Sequence, residues 1–67
     1  MKLIESQIHT LPDEYYNVWL ADDESQITPS FDPKSCSGSM IITITGKVFI
    51  KNTDGKWQKY GSAEVVE

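Results

Sequence analysis

The 67-residue chain has no arginine, a single cysteine and a single histidine, and no apolar run long enough to cross a membrane. Each absence closes a class. One cysteine excludes an internal disulfide, and one histidine beside it leaves no Cys/His cluster for a structural zinc. Arginine supplies the forked donors that suit phosphates and guanine edges, so an acidic chain without it is a poor candidate for nucleic-acid binding. The start, Met1-Lys2-Leu3-Ile4-Glu5, lacks the apolar core of a signal peptide, which predicts synthesis in the cytoplasm. A chain of this size buries only about 60% of the surface exposed by its unfolded form. Without a disulfide or a metal, it needs an efficient core or a partner subunit.

Charge is unevenly placed. The formal net charge is −4, and residues 1–34 hold seven acids against Lys2 and Lys34, while the remainder holds three against four lysines. Acidity therefore belongs to the first half, at −5, and the second half is close to neutral, at +1.

The second half has the clearer pattern. Ser39-Met40-Ile41-Ile42-Thr43-Ile44 is β-branched and uninterrupted, as in a strand covered on both faces. Thr45-Gly46 provides a tight turn. Lys47-Val48-Phe49-Ile50-Lys51 then alternates, with Val48 and Ile50 on one side and Phe49 and the lysines on the other. Asn52-Thr53-Asp54-Gly55 is a strong turn signal before a third strand, Lys56-Trp57-Gln58-Lys59-Tyr60. Loops this short require antiparallel neighbours.

These features predict a single all-β domain, 1–67, built on a small antiparallel sheet. Residues 39–60 form a three-stranded meander, and residues 1–38 add one or two less regular strands and a loop or arm. Lys2–Thr10 is a candidate strand, although Leu3 and Ile8 fall out of phase. In Tyr15–Leu20, Tyr16, Val18 and Leu20 alternate onto one face; a helix starting near Pro12, with Asp13 and Glu14 in its first turn, is the competing reading. Residues 21–38 read as a long connection, an arm suited to lying on a neighbour. Ile42, Val48, Ile50 and Trp57 are the expected core.

No residue set points to an enzyme, and the expectation is no catalytic residue, no cofactor and no metal. His9 lacks a nucleophile and an orienting acid. Cys36, between Ser35 and Ser37, reads as a plain thiol. Asn52-Thr53-Asp54-Gly55 resembles part of a calcium loop, but Gly61 stands where its bidentate acid belongs, and a hairpin turn explains the residues fully. Asp22-Asp23-Glu24 reads as a solvated loop. Phe49, Trp57 and Tyr60, interleaved with lysines, suit either a sheet core or a stacking platform for bases or sugars. Tyr15, Tyr16 and Trp19 are more aromatics than so small a core takes up, and are the expected partner-binding residues.

The segment Gly46-Lys47-Val48-Phe49-Ile50-Lys51-Asn52-Thr53-Asp54-Gly55-Lys56-Trp57, preceded by Gly38-Ser39-Met40-Ile41-Ile42, resembles a hairpin unit of small structural proteins of tailed bacteriophages: head-decoration, head-fibre and tail-associated proteins. It covers about half the chain. The resemblance implies a virion protein that forms a homo-oligomer, a trimer being one arrangement, and attaches to coat or tail proteins. It carries no catalytic residue. Two other functions compete: an acidic phage-encoded inhibitor of a host enzyme, and a small carbohydrate-binding module using Trp57 and Tyr60.

Overall fold

A computed structural model describes residues 1–8 and 14–67. The chain is all-β. Its strands are β1 (Lys2–Ile8), β2 (Tyr15–Ala21), β3 (Met40–Thr43), β4 (Val48–Lys51) and β5 (Trp57–Lys59), with one 3₁₀ turn at Glu24–Gln26. They form one sheet in the order β1-β2-β3-β4-β5. β1/β2, β3/β4 and β4/β5 are antiparallel, while β2 and β3 run parallel. The segment around Tyr15–Leu20 is thus a strand; Pro12 and Asp13, where the alternative helix would begin, lie outside the described residues.

Turn chemistry sets the two hairpins of the second half. Thr43 Oγ1 accepts from the Lys47 N–H at 2.9 Å and shares a hydrogen bond with Thr45 Oγ1. Asn52 Oδ1 accepts from the N–H groups of Asp54 and Lys56, at 3.0 and 2.9 Å. Gly55 follows at φ +78°, a left-handed conformation that costs glycine nothing.

Parallel neighbours need a crossover, and residues 22–39 provide it. Of the two readings, loop or extended arm, the structure has the loop: the connection folds back across its own sheet. It starts with Asp23, whose carboxylate accepts from the Ser25 N–H and caps the 3₁₀ turn. It then lays Ile27 and Phe31 against Trp19, Ala21, Ile41, Phe49 and Trp57, with Val66 of the C-terminal tail joining the same cluster. Trp57 and Ile41 are completely buried.

Asp32 fastens the crossover. Its carboxylate accepts from Asn17 Nδ2 at 2.9 Å and from the Trp19 indole N–H at 2.8 Å. Its carbonyl accepts from Lys51 Nζ at 2.8 Å and from Ser35 Oγ at 2.7 Å. The backbone reaches this geometry at φ +50°, which Asp tolerates better than most residues. The Trp57 indole N–H donates to the carbonyl of Phe31, one residue earlier. Gly38 closes the crossover against Tyr16, whose ring would lie 3.3 Å from a Cβ placed there.

The crossover decides which face becomes the core. Paired residues in neighbouring strands share a face, so Trp19, Ile41 and Phe49 stand together, as do Lys51 and Trp57. Of the four residues expected in the core, Trp57 lies there. Ile42, Val48 and Ile50 lie half-buried on the opposite face, outside the core cluster.

β1 differs from the other strands: all seven of its residues are exposed. A β-bulge between Leu3 and Glu5 puts an extra residue, Ile4, into the strand. Leu3 pairs with Trp19 and Ile8 with Tyr15, so the bulge brings onto one face two residues that a regular strand would separate.

Candidate binding surface

On the face away from the crossover, alternation in three central strands builds a regular apolar array. Leu20, Ile42 and Val48 pair across β2, β3 and β4 in one row, and Val18, Met40 and Ile50 in the next. All six are half-buried, and none belongs to or packs against the core cluster. Residues 22–39, whose Ile27 and Phe31 join the core cluster, pack on the other face.

The array continues at its margins. Tyr16, 36% exposed, extends the Val18–Leu20 alternation along β2. At the other side Ile50 borders a shallow depression of about 210 Å³, lined also by Asn52, Gln58, Lys59, Tyr60 and Gly61. Tyr60 is 72% exposed beside it. Lys2 and Glu5 of β1, paired with Leu20 and Val18, put one charge of each sign at the β1 margin.

The larger cavity, about 620 Å³, is an open cleft beside the crossover, bordered by Tyr16, Phe31, Ser35, Cys36, Lys51 and Asp54, among others. Lys51 is its most distinctive group, with only 5% of its surface exposed. Burial pushes its ammonium below the ordinary lysine value, while the nearby Asp32 carboxylate pulls it back up. Nζ donates to the Asp32 carbonyl and to Ser35 Oγ at 3.0 Å, and it stands 5.6 Å above the Trp57 ring. This is a cation built into the scaffold. The Cys36 thiol donates to the Tyr15 carbonyl at 3.3 Å. No described buried side-chain nitrogen or oxygen lacks a hydrogen-bond partner.

The aromatic trio expected to meet a partner is divided. Trp19 turns inward, its ring edge-on to Phe31 at 5.0 Å and its N–H held by Asp32. Tyr15 and Tyr16 are more than a third exposed but point to opposite faces of β2. The stacking platform of Phe49, Trp57 and Tyr60 does not assemble, because Phe49 and Trp57 are buried and Tyr60 stands apart in solvent. His9 lies outside the described residues. Among the described residues, no three His, Cys, Asp or Glu side chains group as a metal site.

No family model, curated protein or solved structure matches this chain.

The surface is therefore read from its own residues. Tyr16–Leu20 and Val48–Ile50 both showed their alternation in sequence. The missing step was to align them through Met40 and Ile42, which only the parallel β2/β3 register does.

Proposed function

We propose that the protein is a non-enzymatic, self-assembling structural subunit, and that its working surface is the apolar face seated against a second copy. The observation that carries this reading is the uncovered two-by-three array of Val18, Leu20, Met40, Ile42, Val48 and Ile50. Monomeric soluble proteins seldom leave a contiguous apolar patch open without a use for it. Two sheets packed face to face bury such side chains between them, about 10 Å apart.

Size agrees with a second copy as the occupant. A standard interface takes about 800 Å² from each partner. The molecule measures 32 × 23 × 19 Å and exposes 4420 Å², so one broad face has the required dimensions. The array itself is uncharged, and an apolar interface centre with charge confined to its margin is what oligomers favour. The setting is the phage particle suggested by the hairpin of residues 46–57, with attachment to coat or tail proteins as a head-decoration or fibre-attachment protein.

Ile42→Glu tests the reading, because it places a charge at the centre of the array while leaving the opposite core untouched. Sedimentation should show wild type associating and the variant forming smaller assemblies that lack the face contact, with matching circular dichroism. Mass spectrometry of purified particles should find the protein in stoichiometric amount. A wild type that stays monomeric at millimolar concentration and is missing from particles would move the inhibitor reading to first place.

A further inference from the structure

The two edges of the sheet are treated differently. The C-terminal tail covers β5: Lys59 N–H donates to the Glu64 carbonyl, Val66 N–H to the Trp57 carbonyl, and Val65 bridges to Gln58. Among the described residues, nothing pairs with the outer edge of β1, which is seven residues long and leaves Leu3, Ile4 and Ile8 44, 53 and 71% exposed. An open edge of this length is a template for another strand.

The sequence of that edge matches itself. Lys2 pairs with Leu20 and Glu5 with Val18, so the bulge at Ile4 sets Lys2 and Glu5 on the same face despite their odd spacing. Residues directly opposite in an antiparallel pair must share a face. Two β1 strands related by a two-fold axis can therefore place Lys2 of each copy opposite Glu5 of the other. Leu3 then meets Ile4 across the axis. Both charge pairs are attractive and the exposed apolar pair is covered.

We infer that β1 binds β1 of a second copy in this antiparallel register, joining two sheets edge to edge. The bulge selects the partner. A regular strand falls out of step with β1 at Ile4, whereas a second copy carries the same irregularity at the matching place. This contact rests on the edge alone, apart from the apolar face, and a subunit with both contacts extends beyond a closed dimer.

Charge reversal tests it. Lys2→Glu alone puts acids at both positions, and Glu5→Lys alone puts lysines there, so neither variant suits itself but each suits the other. All proteins carry Ile42→Glu, which removes the face contact and leaves only the edge to be measured. Sedimentation equilibrium at low salt should show self-association weakened about tenfold in each charge variant, since two cross-strand pairs change from attractive to repulsive. An equimolar mixture of the two should recover it. Unchanged association in both charge variants, no association of the Ile42→Glu parent, or a mixture that fails to recover would overturn the register. Loss of assembly in Ile42→Glu with persistent edge pairing would show the two contacts to be separate.

Discussion

Trp57 and Ile42 lie two strands apart in one sheet, yet their surroundings are opposite. Around Trp57 the crossover supplies a second layer: Phe31 against its ring at 6.3 Å, an acceptor for its N–H, and a lysine above it. Ile42 pairs within the sheet with Leu20 and Val48 and does not belong to the core cluster. Both faces of β3 are apolar, so composition does not separate them. What separates them is where residues 22–39 go. Among the described residues, the crossover and Val66 of the tail cover one face, and the face they leave is the one available for another molecule.

The comparison breaks most visibly with alanine at each centre. Trp57→Ala removes a fully buried ring and should cost about 3–5 kcal/mol, most of the stability of a small domain, whereas Ile42→Ala at high dilution should cost about 1 kcal/mol or less. Urea unfolding of the two variants measures the difference directly.

Next in size is the fastening of the crossover. Asp32→Ala leaves Asn17 Nδ2 and the Trp19 indole N–H without their acceptor, and about 1–3 kcal/mol should be lost. Tryptophan fluorescence should redden at lower denaturant, because Trp19 and Trp57 are both uncovered when the crossover lifts. Gly38→Ala should act the same way to a lesser degree, by about 1 kcal/mol, since it adds a methyl against Tyr16 at φ +98°.

The smallest effect concerns pH. Hydrogen bonds from Ser25 hold the Asp23 carboxyl below its ordinary value of 3.8. A depressed carboxylate stabilises the fold above its unfolded pKa, and that contribution disappears as pH falls through the lower folded value. Amide exchange in residues 24–27 should accelerate, relative to β3, as pH is lowered below 3.8, once intrinsic rates are corrected for. Asp23→Asn should remove that pH dependence without altering β3 or β4.

Much of the sheet was legible because its information is local. The turns at Thr45-Gly46 and Asn52–Gly55, the alternation of Val48–Ile50 and the strand-formers of Tyr15–Leu20 each act within a few residues. Three features were not. The parallel pairing of β2 with β3 depends on a crossover whose anchors, Ile27, Phe31 and Asp32, read in sequence as ordinary loop residues among prolines. Assignment of Trp57 and Val48 to one core failed because the register of β4 with β5 pairs Trp57 with Lys51, on the face opposite Val48 and Ile50. The bulge at Ile4 left one sign, the mismatched phase of Leu3 and Ile8, and that mismatch marked an inserted residue in a strand. Of the binding surface, the alternating residues were visible and their alignment across strands was not.

The central claim is that the uncovered face meets a second copy. Isotope-filtered NOE spectroscopy on an equimolar mixture of labelled and unlabelled protein tests it at the methyl groups themselves. The account predicts intermolecular contacts among the methyls of Leu20, Ile42 and Val48, and none to the buried methyls of Ile41. An absence of intermolecular contacts at millimolar concentration, with the array methyls instead in contact with water, would contradict it.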